Sequence, residues 1–364
     1  MKKNKNKNNN ALEIEKTYRE IEQQIIIITA SYLNIEGYSD VNKWHNDNYK
    51  KIKQYERDVQ KIVISNTKNA RDVVDDFIDE ELQKASKKVD KKMVEILDAT
   101  NKEYIDPKNA IAETKKEGAK IIYESLNKTN RGLLEGADKV YSDILNKAVD
   151  DVTRGDKSIS EAVSDVISKW AEKGVPALVR KDGAEMTPEG YVPMVIRAGQ
   201  KNLANELENK RLDEYGIDLV MISSHMGSRP SHAEFQGKIY SRSGESSEYE
   251  PLSVTGYGKI DGLITGVNCR HLMYPYVEGV TKNNYPKYDL EKNNQRYKEQ
   301  QYQRKLERDI RKAKRTLEAL KKVGADSEEI KKAEKRVRQR QAKIREHIEK
   351  TGLKRKYNRE KINA

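Results

Sequence analysis

Three of the chain's five histidines, His225, His232 and His271, fall within 47 residues, and the only cysteine, Cys269, lies among them. Thiolate and imidazole are the ligands zinc prefers, and four such groups hold it in a tetrahedron. On an extended strand Cys269 and His271 point to one side and Arg270 to the other. His225 and His232 can close the site from the preceding loop. A zinc centre of one cysteine and three histidines is therefore the sharpest chemistry on offer, although the spacing is not that of a finger and no second cysteine exists. In a zinc-dependent hydrolase or nuclease, metal-bound water would attack and Glu234 would serve as base. The plainer reading of the same residues is a polar core in which each imidazole finds a backbone or carboxylate partner.

Other chemistries fit less well. A histidine beside Cys269 would activate the thiol as a nucleophile, but no nucleophile elbow or cysteine-protease motif surrounds it. Gly256, Gly258, Gly262 and Gly266 match neither phosphate-binding glycine pattern, because Asp261 stands where a third glycine belongs; they predict a flexible loop. Arg229 precedes Pro230 and is held extended. Gly227 and Gly237 bracket a tight polar loop that also holds Gln236, and Asn268 is a natural turn residue. Arg229 and Arg270 are expected to fork onto carboxylates such as Glu234 or Asp261.

These residues need elements to position them. Residues 217–285 predict a small β-containing domain, with strands at Ile217–Ile222, Lys238–Ser241 and His271–Val277. Before it, Ser158 and Glu161 form a capping box for a helix carrying Ala162, Val163, Val166, Ile167 and Trp170 on one face. Gly174 and Pro176 stop that helix. A polar turn fills 180–187, and Thr187 with Pro188 opens the next helix. Residues 11–155 predict helices, with breaks near Asn34–Asp40, Asn101–Pro107 and Thr129–Gly132. In the tail Leu306, Ile310, Ala313, Leu317 and Leu320 form a short heptad, and Gly324 turns the chain into a second helix. The tail therefore predicts an antiparallel helical hairpin, with self-pairing of the heptad left open. The expected organisation is a disordered basic start over 1–10, a helical region over 11–155, an α+β domain over 156–285 and a basic hairpin over 286–364. The fold class is α+β, predominantly α-helical.

Composition narrows the function. The 364 residues are 36% charged and 35% hydrophobic, with 20 tyrosines against 2 phenylalanines and 2 tryptophans. Long helices with narrow apolar stripes suit this better than one large apolar core. No run approaches the roughly 18 apolar residues a bilayer span needs, and the basic N-terminus lacks the apolar segment of a secretory signal. A single cysteine makes no internal disulfide and fits a reducing compartment. The net charge is +12, yet residues 291–364 alone carry 26 basic and 12 acidic residues, a net of +14, leaving the remainder at −2. A basic tail of this kind predicts a polyanionic partner such as nucleic acid, or else a solvated surface.

The segment HMGSRPSHAEFQGKIYS, followed by GYGKIDGLITGVNCRHLMYPYVEG, resembles the signature of the phage minor capsid protein family of Gram-positive tailed phages. That family is distantly similar to the MuF-type head morphogenesis proteins, which end a small domain in a Cys-Arg-Cys or Cys-Arg-His element. Segments upstream, from Gly155 to Gly199, and in the tail, QRKLERDIRKAKR, resemble it as well. Matching positions are His225, Gly227, Arg229, Pro230, His232, Gln236, Gly237, Asn268, Cys269, Arg270 and His271. The resemblance implies a non-enzymatic structural protein of the virion, inside the phage head near the portal, assisting assembly and DNA packaging or delivery. It implies the portal and other head proteins as partners, packaged DNA as a partner of residues 291–364, and the host cytoplasm as the place of assembly. It brings no catalytic activity and no membrane partner, and leaves zinc the only candidate cofactor. Where some relatives have two cysteines, this chain offers Cys269 and His271.

Overall fold

The computed structural model describes residues 10–155, 157–259 and 261–362. The disordered start expected over 1–10 lies outside these, apart from Asn10, which opens the first helix. The fold is predominantly α-helical with a few short strands, as the composition implies. The chain forms two compact units: one from residues 1–71, 126–193 and 302–364, the other from 72–125 and 194–301.

The first unit contains helices α1 (Asn10–Tyr32) and α2 (Val41–Tyr49), the start of α3 (Ile52–Thr100) and the later part of α4 (Lys108–Thr153). It continues through α5 (Ile159–Lys173), the hairpin β1 (Leu178–Val179) and β2 (Glu185–Met186), and the first turns of α6 (Pro188–Glu214). The expected polar turn at 180–187 is thus the tip and returning strand of this hairpin. Ser158 and Glu161 form the reciprocal cap of α5, and Asp40 caps α2 by accepting from the amides of Asn42 and Lys43.

Tyrosine replaces phenylalanine in this core because each hydroxyl finds a partner, which removes the cost of burying it. Tyr18 donates to Asn130 (2.9 Å), Tyr141 donates to the Asn48 carbonyl (3.1 Å), and Tyr55 shares a hydrogen bond with Thr29 (2.8 Å). The rings of Tyr55 and Tyr141 stack at 4.3 Å, with Tyr32 edge-on to both.

The break expected at Thr129–Gly132 does not occur; α4 runs through it. Gly132 and Gly136 are there for close approach. A Cβ on Gly132 would stand 2.0 Å from the Ala177 carbonyl oxygen, and one on Gly136 would stand 2.3 Å from that of Pro176. The segment after α5 lies directly on the backbone of α4, which only glycine permits.

The rest of the first unit is the C-terminal part of α8 (Leu290–Val323), then α9 (Ser327–Thr351). Gly324, with φ of 78°, makes the turn. Leu306 and Ile310 pack against Ile344 and Ile348, giving the expected hairpin. The heptad positions Leu306, Ile310, Ala313 and Leu320 are buried within one chain, so this stripe is already covered without self-pairing. Arg311 and Arg315 of α8 are nearly buried and close on Glu189 in the first turn of α6. Arg315 also reaches Glu22 of α1 at 3.9 Å and donates to the Ala171 carbonyl. Burial raises the Glu22 carboxyl above the usual range; for Glu189 the two guanidiniums outweigh burial and hold it below.

The second unit takes the later part of α3, the start of α4, most of α6 and the first turns of α8. Its sheet has the order β4–β3–β5, all antiparallel: β3 (Leu219–Ile222) is central, flanked by β4 (Ile239–Ser241) and β5 (Met273–Pro275). Each strand lies inside the stretch the sequence predicts. Between β3 and β4 sits the one-turn helix α7 (Pro230–Ala233). Val89, Met93, Ile96 and Leu97 of α3 pack with Leu212 of α6, the sheet residues Val220, Ile222, Tyr240 and Met273, and the loop residues Leu263 and Cys269. Arg211 is fully buried; it pairs with Asp90 (3.2 Å) and Glu214 and lies over the rings of Tyr104 and Tyr215.

Alanine in place of a helical glycine ordinarily stabilises by about 0.5–1 kcal/mol. Gly132→Ala is expected to reverse that sign and destabilise the protein by about 1–3 kcal/mol through overpacking. The midpoint of urea unfolding measures it, and an unchanged or raised midpoint would show that the segment at 175–177 yields freely.

Candidate functional site

Two features of β3 and its neighbours bring the histidine and cysteine residues together. Beyond the last strand pair, Ser223 and Leu272 continue the ladder: the Ser223 amide donates to the Leu272 carbonyl, and the Leu272 amide donates to the Ser223 hydroxyl, each at 2.8 Å. This sets His225 beside His271, and their rings stack at 4.5 Å. The loop then turns at Gly227 (φ 79°) into α7, with Arg229 extended and Pro230 at the first helical position. One turn later His232 is buried, its ring edge-on to His271 at 5.7 Å.

The second feature is the loop from Leu252 to Asn268. The sequence predicts flexibility from its glycines; the structure shows them wound tightly instead. A Cβ on Gly262 would stand 1.8 Å from the Gly256 carbonyl oxygen, and one on Gly266 2.2 Å from that of Gly262. This winding holds the Asp261 carbonyl 2.8 Å from Nε2 of His232. Asn268, with φ of 58°, then turns the chain into Cys269, whose side chain faces inward with His271 while Arg270 is exposed. The alternation read from the sequence is what places both ligand types on one side.

The resulting cluster is closed. Cys269 Sγ is 3.4 Å from Nδ1 of His271, and Nε2 of His271 is 3.0 Å from Oε1 of Gln236. That same oxygen accepts the His225 amide at 3.0 Å. His232, Cys269 and His271 each offer one ligand-capable atom, all within 4.8 Å of one another, with 2%, 8% and 1% of their surface exposed. His225 lies outside this set, against the face of His271, and its Nε2 is buried without a hydrogen-bond partner. Burial, followed by the neighbouring His271, pulls its imidazole down to about 4. Burial alone would push the Cys269 thiol up, but hydrogen bonds with His232 and His271 and the charge of Lys201 bring it down to about 4.

Several expected contacts differ. Arg229 does not fork onto a carboxylate; it donates to the carbonyls of Val267 (2.9 Å) and Asp261 (3.5 Å), tying the α7 loop to the glycine-wound loop. Glu234 is exposed at the end of α7 and does not join the cluster. Gly237, with φ of 72°, donates to the Ile222 carbonyl and accepts from Asn283. A surface pocket of this unit, lined by residues such as Ile96, Tyr215, Asp218 and Tyr276, shares no residue with the cluster.

Two supporting residues carried no signal in the sequence. Lys201 of α6 donates to the carbonyls of Ile264 (3.1 Å) and His271, and burial lowers its ammonium from the usual lysine range. Asn293, fully buried in the first turn of α8, accepts from the amides of Gly227 (2.9 Å) and Ser228 (3.0 Å) and from the Ser228 hydroxyl, and donates back to the Ser228 carbonyl. It sits in a stretch that reads only as a charged helix.

The chain matches the family described as "Phage minor capsid protein 2" over residues 7–349. It is 33% identical over 299 residues to a protein named "Structural protein" of Lactococcus phage LL-H, covering 79% of this chain and 80% of that one. It is 40% identical over 116 residues to a "Structural protein" of Lactococcus phage mv4, covering 32% of this chain and 93% of that one. No solved structure matches significantly.

Asn293→Ala would strip the partner from three buried donors of the α7 loop. Each unsatisfied group costs about 1–3 kcal/mol, so a loss of at least about 2 kcal/mol in unfolding free energy is expected. Chemical denaturation read by the fluorescence of the chain reports it; a change below about 0.5 kcal/mol would show that the clamp is replaced by solvent.

Proposed function

This chain belongs to the phage minor capsid protein 2 family, and from that premise we infer that it is a low-copy structural component of the virion, sited inside the head near the portal. The family match, together with two relatives named as structural proteins, carries the reading. The site supports it too: the histidine–cysteine cluster is buried, and Glu234, the base the sequence offers, stands outside it, an arrangement suited to holding loops rather than turning over substrate. Among the described residues no helix is long and apolar enough to cross a membrane.

The DNA contact is assigned to α9. Not all of the tail's charge is available for it: Arg311 and Arg315 are committed to Glu189 and Glu22, and Arg355 to Glu360. On α9, however, Lys331, Lys335, Arg338 and Arg345 follow at intervals of four, three and seven, which makes one exposed stripe. Lys332, Arg336, Lys343 and Lys350 are exposed on the adjoining one, and the buried stripe of Ala333 and Ile344 lies opposite. Such a surface attracts phosphates without reading sequence.

Quantitative mass spectrometry of virions and DNA-free procapsids tests the location; a few copies in both are expected, and absence from both would overturn the reading. The DNA contact is tested by Lys331→Glu, Lys335→Glu, Arg338→Glu and Arg345→Glu combined. The variant is expected to bind duplex DNA more weakly and to lose about 0.9 of the log–log salt slope for each phosphate contact removed. Unchanged affinity and slope would refute this assignment while leaving the location untouched.

A further inference from the structure

We propose that His232, Cys269 and His271 bind one zinc ion, through Nδ1 of each imidazole and the cysteine sulfur, with water as the fourth ligand. The tautomers follow from the partners. The Asp261 carbonyl can only accept, so His232 must donate to it from Nε2, which in the neutral imidazole leaves the Nδ1 lone pair free. Oε1 of Gln236 is fixed as the inward atom because the His225 amide donates to it. His271 therefore donates from Nε2 to that oxygen, and its Nδ1 lone pair faces Cys269 Sγ at 3.4 Å. Metal-binding imidazoles are held in this way, with the far nitrogen donating to a carbonyl-type oxygen.

The distances suit the ion. In a tetrahedral zinc site, bonds of about 2.3 Å to sulfur and 2.0–2.1 Å to nitrogen place sulfur and nitrogen about 3.6 Å apart. The Cys269–His271 pair already stands at 3.4 Å, and all three candidate atoms lie within 4.8 Å. Three protein ligands leave one position for water. Nε2 of His225, buried and without a partner, is the polar atom such a water would satisfy. Binding takes neutral imidazoles and a thiolate, so a proton held between Cys269 Sγ and a neighbouring imidazole nitrogen leaves to solvent as the ion enters. The ion would join α7 to the segment after the glycine-wound loop, pinning the two stretches that carry the family resemblance. The inference rests on these contacts alone; the location in the virion could fail and leave it standing.

The test uses the full-length chain, reduced, stripped with a chelator and titrated with Co²⁺. One equivalent is expected to give a thiolate-to-cobalt charge-transfer band and d–d bands of four-coordinate intensity, both abolished by Zn²⁺. Cys269→Ser should lose the charge-transfer band, and His232→Ala or His271→Ala the stoichiometric binding. His225→Ala should weaken affinity about 10–100-fold, the usual effect of removing an outer partner. Arg270→Ala should bind as the parent does. A parent chain that is folded by circular dichroism yet shows no charge-transfer band at saturating cobalt would overturn the proposal, whether or not the variants fold; so would a Cys269→Ser variant that keeps the band.

Discussion

Two arginines buried against one carboxylate organise the first unit. Arg311 and Arg315 lie one turn apart on α8 and both close on Glu189, which stands in the first turn of α6 where the helix dipole also favours an anion. Arg315 further reaches the buried Glu22 of α1 and the Ala171 carbonyl in the last turn of α5. Four helices are thereby referred to one polar junction. Such a junction is not a large source of net stability, because desolvating the ions offsets much of their attraction. Its force lies in exclusion. Any packing that separates the arginines from Glu189 leaves a buried charge unpaired, at a cost of about 3–5 kcal/mol. Helix register in this unit is set by that penalty as much as by apolar contact.

The same constraint recurs in the second unit, and composition explains why. With about a third of its residues hydrophobic, the chain must fill interior volume with groups that carry polar atoms. Arg211 fills such a volume between two tyrosine rings, with Asp90, Glu214 and the Ile105 carbonyl accepting hydrogen bonds from its guanidinium. The histidine–cysteine cluster is the third case. Its interior is polar, yet His271 and Gln236 partner each other, the His225 amide also donates to Gln236, and His232 meets the Asp261 carbonyl, which approaches closely because the residues at 256, 262 and 266 have no side chain. Glycine there supplies proximity rather than mobility.

This also explains what was legible in the sequence. Periodicity revealed the strands at 217–222, 238–241 and 271–277 and the capping box at Ser158, since these depend on neighbours close in the chain. Alternation put Cys269 and His271 on one side, and the structure agrees. Tertiary proximity was not legible. Gly132 reads as a break by propensity but is required by the carbonyl of Ala177, 45 positions away. Asn293 reads as one more polar residue on a helix, yet it holds the loop at 227–228. Arg229 reads as a fork onto a carboxylate, whereas a folded loop offers its carbonyls first. In each case the deciding atom belongs to the backbone of a distant segment, and backbone leaves no mark in composition.

Charge shows why a residue count alone misstates what the tail can do. The net of +14 over 291–364 suggests one continuous basic arm. Folding divides it. The arginines of α8 that meet Glu189 turn inward and are neutralised, so they contribute architecture. On α9, Lys332 pairs with Glu328 and Glu329 and Arg340 with Asp309 of α8, while Lys331, Lys335, Arg338 and Arg345 stay exposed on a stripe opposite its buried face. Carrying so many like charges on one helix costs some self-repulsion, and acids such as Glu346 and Glu349 only partly relieve it. A surface that stays basic at such a cost, on a helix whose apolar face is already anchored to α8, is suited to meeting a polyanion without refolding to do so.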